Sequence, residues 1–333
     1  MSSTEQHRAA PATKRTNQPH RHFTENPGRS SVTRTASYVV AYEATDRGND
    51  AIELGVALAR LTGAELRLCL VLPHSTIAPS RLRASGSDFE ALLEQQGLEW
   101  LAGAAARVPA DIVATTHLIW ADATSDGLLR AVTEFDSDRI VVGASRHGIR
   151  GRYTIGSVAN ALLHASPVPV ALAPHGYLAP AQISRITCAI GTRPGWSTLL
   201  DSLLAFTEGL SVDVRFLTLV EVDSRRAQHG ESTPAVEAAR TAESTAHLES
   251  VLEYYSTRSS APGAITTEVA VGENVESAVE AIEWRTDEVA FVGSSRLAQP
   301  TTIFLGITAH RMLNALPVPL VVVPTGAAAR LAR

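Results

Sequence analysis

Short apolar runs alternate with amphipathic stretches along most of the chain. Residues 38–42 are apolar and end at polar turn residues, so they predict a buried strand. The pattern then favours a helix over 49–61, with Asp50 as its cap and Gly63 as its stop. Residues 66–72 are again apolar and predict a second strand. Strand and helix signals therefore follow each other from the first element onward.

The same alternation continues through the first half of the chain. A helix is expected over 89–107 because apolar or small residues recur on one face of it, namely Leu93, Gly97, Trp100, Leu101 and Ala104. The elements after it are a strand over 112–119, a helix over 125–135, a strand at 140–142, a helix over 157–164 and a strand over 168–173. Strands that alternate with helices predict a parallel sheet covered on both faces.

The second half of the chain repeats the first. Residues 143–174 align with residues 293–324 at a constant offset of 150, without a gap. The identical pairs are Gly143/Gly293, Ser145/Ser295, Arg146/Arg296, Gly156/Gly306, Ala159/Ala309, Leu163/Leu313, Ala165/Ala315, Pro167/Pro317, Val168/Val318, Pro169/Pro319 and Pro174/Pro324. Chance does not easily produce such a register, so the chain is an internal duplication.

The predicted fold class is α/β, with two tandem open five-stranded parallel sheets and helices on both faces, a Rossmann-like architecture. In the second copy, strands are expected over 186–190, 212–220, 265–271, 289–292 and 318–323, with helices that end at Phe206, Tyr255, Trp284 and Leu313. We expect a flexible tail over 1–35, a first domain over 36–175 and a second domain over 183–325. Dispersed basic residues in the tail leave open a tether to an anionic partner.

Composition and charge exclude several classes of protein. The 333 residues are 45% hydrophobic and 19% charged, which allows a sizeable core, and the net charge of −5 argues against a duplex nucleic-acid binder. No apolar run approaches the ~20 residues that span a bilayer, and no signal-peptide core is present, so we expect a cytoplasmic protein without membrane insertion. Cys69 and Cys188 lie in apolar runs without metal or redox spacing, and we expect both to be buried.

Candidate chemistry lies where the strands end, because ligands of open α/β sheets bind beyond the carboxyl ends of the strands. One segment is 42–45, after the first strand; the other runs from Gly143 to Arg146 and, after nine residues, to Gly156 and Ser157 at the start of a helix. Glycine lets backbone amides approach an anion, and a helix start offers free N–H groups. These features favour phosphate, although a tight turn before a helix also accounts for two glycines.

With the duplication, the element order and the Pro-Val-Pro after the glycine motif, the chain resembles the tandem universal stress proteins of bacteria over about residues 37–325. The resemblance implies an adenine-nucleotide alpha-hydrolase-like fold that binds ATP, with or without magnesium, in a crevice between strands one and four. It also implies the contacts: Val71 by its backbone to adenine, Ala41, Tyr42 and Glu43 beside adenine and ribose, Val142, Gly143 and Ser145 beside ribose and phosphates, and Gly156, Ser157, Val158 and Ala159 at the phosphates.

Two positions of the first copy depart from the family pattern. Glu43 stands where the family usually has Asp, and its longer carboxylate can still accept from a ribose hydroxyl. Arg146 stands where the family has its second Gly, so it either pairs with phosphate oxygens or fills their space. Arg150 and Arg152 lie in the same loop; each alone is typical of a solvated loop, whereas the three together suggest an anion.

The second copy departs further. Gly191 stands at the acidic position, Ile307 replaces the Ser or Thr, and Pro300 interrupts the loop after Arg296. The ribose acceptor and the hydroxyl donor are both missing. We therefore expect ATP in the first copy and none in the second, which becomes a structural or regulatory partner.

The sequence favours a binding protein over an enzyme. It contains no Walker loop, nucleophile elbow, paired carboxylates or metal-ligand spacing, and nothing orients the loop residue His147 as a base. We expect a non-catalytic stress-response protein that is regulated by ATP and acts on a protein partner that the sequence does not name. The alternatives are a protein-interaction adaptor that binds no nucleotide and, ranked last, a slow ATPase.

The last strand of each copy predicts how the copies assemble. Residues 168–173 and 318–323 are short and apolar, and in the family this strand lies at a sheet edge, which tends to find a partner. Because the connection over 175–184 is short, we expect the two edges to pair within one chain. A further homodimer through other surfaces stays open.

Overall fold

A computed structural model describes residues 34–74, 83–144, 153, 155–192, 195–222, 234–260, 263–294 and 305–324. From Thr35 onward the chain forms one compact unit. The predicted tail lies almost entirely outside the described residues, as do Ser145, Arg146, His147, Arg150 and Arg152 of the predicted phosphate loop.

The first copy has the predicted order of elements. They are β1 (Ser37–Tyr42), α1 (Asp46–Thr62), β2 (Glu65–Pro73), α2 (Arg83–Ala105), β3 (Ala114–Ala121), α3 (Thr124–Glu134), β4 (Arg139–Gly143), α4 (Ser157–Ala165) and β5 (Val170–Ala173). Gly63 ends α1 with a left-handed φ of 71°, as expected of a helix stop.

The second copy repeats this order. Its elements are β6 (Arg185–Ala189), α5 (Trp196–Thr207), β7 (Asp213–Glu221), α6 (Pro234–Ser256), β8 (Ile265–Gly272), α7 (Val275–Glu280), β9 (Glu288–Gly293), α8 (Ile307–Ala315) and β10 (Leu320–Val323).

Three local predictions are wrong. Thr45, not Asp50, occupies the N-cap position of α1, although its side chain does not cap the helix. Asp50 is buried inside the helix, where its carboxylate accepts the backbone N–H of Gly176 at 3.0 Å. Trp100 does not belong to the buried face of α2, since 38% of it is exposed. The helix expected to reach Trp284 ends at Glu280, and the Trp284 indole donates instead to the carbonyl of Val279 at 3.0 Å.

All ten strands belong to one sheet, in the order β3-β2-β1-β4-β5-β10-β9-β6-β7-β8. Pairing is parallel within each copy, so the α/β fold class is confirmed. The two predicted five-stranded sheets are, however, joined into one continuous sheet. The copies meet where β10 runs antiparallel to β5, with Val321 opposite Ala171. The predicted pairing of the two edge strands within one chain is therefore confirmed, and it turns both edges into central strands.

The core lies on both faces of this sheet and extends across both copies. Val40 and Val321 belong to one buried cluster, whereas Val39 and Val322 belong to the other. Adjacent residues of one strand fall in different clusters because successive side chains point to opposite faces. Each cluster contains residues of both copies, so the two halves share their hydrophobic cores.

Side chains also join the copies. The hydroxyl of Tyr153, in the loop before α4, lies 2.9 Å from the carbonyl of Leu172 in β5 and 2.7 Å from that of Val318 in the second copy. The guanidinium of Arg139 lies over the ring of Tyr38, at 5.0 Å, and over that of Phe206 in the second copy, at 4.4 Å. Tyr153 thus contacts both sides of the seam between β5 and β10.

The described residues also bear on membranes, metals and thiols. Across those ranges, no helix is both long enough and apolar enough to cross a membrane. The same ranges hold no group of three or more His, Cys, Asp or Glu side chains arranged for a metal ion. Cys69 and Cys188 are buried, as predicted, and burial raises the pKa of each thiol to about 12.

Candidate functional site

A small cavity of about 70 Å³ lies at the carboxyl ends of β1, β2 and β4 in the first copy. Eight of the residues predicted for the site line it: Ala41, Tyr42, Glu43, Val71, Val142, Gly143, Val158 and Ala159. The parallel register explains this convergence, since β1 lies between β2 and β4 and all three strands end at the same edge. That these residues contact a nucleotide stays a prediction.

Two helices begin at the cavity. Thr124 opens α3, and Val158 lies in the first turn of α4; both line the cavity. Neither Ala123 nor Gly156, the two N-cap residues, provides a side-chain cap. The predicted Gly156 and Ser157 lie directly before Val158, with Ser157 exposed. First-turn N–H groups without intrahelical partners make this edge attractive to an anion.

The Glu43 carboxylate is held by donors of its own segment. The hydroxyl of Thr45 donates to Oε1 at 2.5 Å, and Nε of Arg47 donates to the same oxygen at 2.8 Å. Nη2 of Arg47 donates to Oε2, which completes a bidentate ion pair. The predicted ribose acceptor therefore lies at the site, but its oxygens are engaged by Arg47.

Gly143 has a different reason to be glycine from the one that the sequence suggested. A Cβ at Gly143 would lie 2.1 Å from the backbone carbonyl oxygen of Arg47 and 2.8 Å from its Cγ. No side chain fits at these distances, so the glycine allows the start of α1 to pack directly on the end of β4. The approach of backbone to an anion, which the motif suggested, is not needed to explain this position.

Val71 is positioned by the helix that covers it. A Cβ on Gly127 of α3 would lie 2.7 Å from Cγ1 of Val71, so this glycine lets α3 pack closely against β2. Tyr42 also lines the cavity, and burial raises the pKa of its hydroxyl, so it stays protonated. Apolar side chains, among them Leu70, Val71 and Val142, thus form much of the cavity wall.

Sequence reasoning missed Arg47, Thr124 and Leu70, which also line the cavity. Thr124 follows the third strand, so the same strand-end rule that selected Glu43 could have found it. The signal for Arg47 is its spacing of four residues from Glu43, at which a carboxylate and a guanidinium readily meet near a helix start.

The second copy has lost the corresponding chemistry. Gly191, at the position of Glu43, is exposed, and 82% of Ile307 is exposed at the position of Ser157. The Leu199 side chain lies 3.5 Å from the Cβ position of Gly293, where the first copy has Arg47 over Gly143.

An ion-pair cluster lies at this edge of the second copy. Nη1 of Arg311 in α8 donates to Glu221 at 2.7 Å, and its Nε donates to Glu276 of α7 at 3.1 Å. Glu221 also accepts the backbone N–H of Val275, the first residue of α7, at 3.2 Å. The end of β7, the start of α7 and the middle of α8 are thus engaged with one another.

The chain is similar in sequence to a known family and to several of its members. The model of the Universal stress protein family matches residues 38–174. A universal stress protein of Mycobacterium tuberculosis (strain ATCC 25618 / H37Rv) is 27% identical over 295 residues, which cover 86% of this chain and 99% of that protein. A universal stress protein of Mycolicibacterium smegmatis is 31% identical over 142 residues, covering 42% of this chain and 98% of the relative.

Solved structures show the same fold. A universal stress protein from Archaeoglobus fulgidus DSM 4304 aligns with a TM-score of 0.53 at 16% identity, over 86% of this chain and 96% of its own. A functionally unknown protein from Pseudomonas aeruginosa PAO1 aligns with a TM-score of 0.51 at 14% identity, over 90% and 96%. At these identities the likeness concerns the fold alone, and the family assignment rests on the sequence matches. The chain belongs to the universal stress protein family.

Proposed function

We propose that this chain is a non-catalytic stress-response protein that binds ATP in its first copy and passes the occupancy of that site to a protein partner. One observation carries the proposal: residues predicted from segments as far apart as Ala41 and Ala159 surround one cavity at the carboxyl edge of the sheet. The cavity combines apolar walls, one carboxylate, one guanidinium and the first turns of two helices.

Each part of an adenine nucleotide finds a suitable group there. Leu70, Val71 and Val142 offer apolar surface for the base. The Glu43 carboxylate can accept hydrogen bonds from ribose hydroxyls. The uncapped start of α4 suits phosphates, for which its N–H groups and dipole provide attraction. A magnesium ion would be bound through the phosphates of the nucleotide.

A second function, that of an adaptor that binds no nucleotide, is favoured by the state of the cavity. Its volume of about 70 Å³ is well below the roughly 300–1,000 Å³ of typical ligand pockets. Glu43 is also engaged by Arg47. An adaptor needs no larger space, whereas a nucleotide binder must open the cavity.

Native purification followed by nucleotide analysis separates the two functions. The purified full chain is denatured, and the released small molecules are identified by chromatography; the nucleotide-free chain is then titrated with ATP by calorimetry. We expect released adenine nucleotide and saturable ATP binding. A folded chain that releases no nucleotide and binds no ATP would favour the adaptor.

A further inference from the structure

We infer that Arg47 is a phosphate-responsive latch: in the free protein it closes the cavity by pairing with Glu43, and the phosphates of a nucleotide open it by taking over its guanidinium. The inference rests on the proposed function and deepens it, because it states how the site would select nucleotides over nucleosides. It concerns a residue that lies four positions from Glu43, in the first turn of α1.

The position of Arg47 makes it part of the cavity wall. Its backbone packs on Gly143, which has room for it only because a Cβ is absent there. Its side chain crosses to Glu43 and is about a quarter exposed, so solvent and ligand can reach it. Both residues line the cavity, and the bond between them therefore runs along its wall.

The ion pair withdraws two groups that a nucleotide needs. While Arg47 donates to both oxygens of the Glu43 carboxylate, the lone pairs that face the guanidinium cannot accept a hydrogen bond from a ribose. A guanidinium binds phosphate with the same bidentate geometry that it uses for a carboxylate. Phosphate can thus replace Glu43 as the partner of Arg47. The carboxylate, to which Thr45 still donates, can then accept ribose hydroxyls on the side that Arg47 has left.

This exchange of partners requires a ligand that has both ribose hydroxyls and phosphates. Adenosine offers hydroxyls to Glu43 but leaves Arg47 without an anion, so opening the pair is not compensated. ATP compensates for it, because the phosphates replace the lost carboxylate. The latch therefore makes the first copy prefer phosphorylated ligands beyond the attraction of the α4 start.

The chain provides a matched control for Arg47. Arg60 lies on the same helix and pairs with Asp111, its Nε donating to Oδ2 at 3.2 Å, but it does not line the cavity. Arg47→Ala and Arg60→Ala each remove one arginine and one ion pair from α1. Thermal unfolding of both variants shows whether either change damages the fold.

The experiment measures ATP and adenosine affinity by calorimetry in the full chain and both variants. We expect Arg47→Ala to weaken the affinity for ATP about 10–100-fold, because a charged hydrogen-bond partner of the phosphates is lost. Adenosine should bind as well as before or better. The preference for ATP then falls at least about tenfold. Arg60→Ala keeps the original preference for ATP over adenosine. Arg47→Lys retains part of it, since lysine keeps the positive charge but cannot donate the two parallel hydrogen bonds of a guanidinium.

Several results would overturn the latch. An ATP-to-adenosine preference that is unchanged in Arg47→Ala excludes a role with phosphate. If Arg47→Ala weakens the binding of both ligands equally, Arg47 only supports the structure of the site. If it strengthens the binding of both equally, Arg47 only blocks the cavity and does not interact with phosphate. If the unaltered chain binds neither ATP nor adenosine, the proposed function fails. In that case, closure of the cavity by the Arg47–Glu43 pair is supported if Arg47→Ala gains adenosine binding, and it is overturned if Arg47→Ala does not.

Discussion

Arg47 and Gly143 show how one close contact shapes the site at the scale of single residues. The carbonyl of Arg47 occupies the space that a Cβ of Gly143 would need, and this contact fixes the start of α1 against β4. The duplicated position differs, because Gly293 meets the side chain of Leu199 at ordinary contact distances. Two glycines that match in the sequence therefore have different physical roles.

Gly143→Ala is expected to destabilise the protein by about 1–3 kcal/mol, because backbone must move to admit a methyl group. Gly293→Ala should change the free energy of unfolding by no more than about 0.5 kcal/mol, since its Cβ meets only a side chain at 3.5 Å. Urea denaturation of both variants measures the difference. Equal effects at the two glycines would contradict a difference in packing between Gly143 and Gly293.

Residues at strand ends could be predicted from the sequence, and those held by local packing could not. Glu43 and Gly143 follow apolar runs, and the rule that parallel strands end at one edge brings them together. Arg47 was missed because its importance depends on the bond to Glu43 and on the space above Gly143. Neither can be derived from hydrophobic periodicity. The predicted roles of Ser145 and Arg146 lie outside the described residues.

At the scale of elements, the strands β5 and β10 decide the assembly of the chain. Each has only four residues, all of them buried, and each pairs on both sides. Their apolar character indicated strands that seek a partner, and the short connection indicated which partner. The hydrophobic pattern and the chain connectivity together were sufficient for this prediction.

A cysteine pair can test this seam directly. Ala171 and Val321 lie opposite each other in the antiparallel pair, where Cα atoms are about 4.5–5.5 Å apart, within the range that a disulfide spans. We expect Ala171→Cys with Val321→Cys to form a disulfide within one chain, seen as a monomer on a non-reducing gel. The control pair is Ala171→Cys with Val322→Cys, whose side chains point to opposite faces. Disulfide-linked dimers from the first pair would place the seam between chains.

Helix α1 is the element whose role the sequence did not indicate. Its carboxylates hold the segment between the copies: Asp50 accepts from the backbone N–H of Gly176 at 3.0 Å, and Glu53 from that of Ala179 at 3.1 Å. The sequence suggested Asp50 as a helix cap, because its partner Gly176 lies 126 residues away and no local pattern indicates such a contact. The same helix thus carries Arg47 at the cavity and the contacts to the connection between the copies.

At the scale of the whole molecule, the two copies share one fold but carry different side chains at the carboxyl ends of their strands. The shared sheet and the shared hydrophobic clusters make each copy part of the other's support. The first copy keeps a cavity with a carboxylate and a guanidinium. The second has an ion-pair cluster of Glu221, Glu276 and Arg311 at the corresponding edge. We therefore expect a single nucleotide per chain.

The stoichiometry of ATP binding, measured by calorimetry on a matched pair of variants, tests this account most directly. Gly156 and Gly306 both precede helices as N-caps with extended backbone, a conformation that Asp adopts when it caps a helix. We predict one ATP per unaltered chain, no binding by Gly156→Asp, whose carboxylate takes the N–H groups meant for phosphate, and unchanged binding by Gly306→Asp. Two ATP per chain, or binding that survives Gly156→Asp and disappears in Gly306→Asp, would contradict the assignment of the site to the first copy.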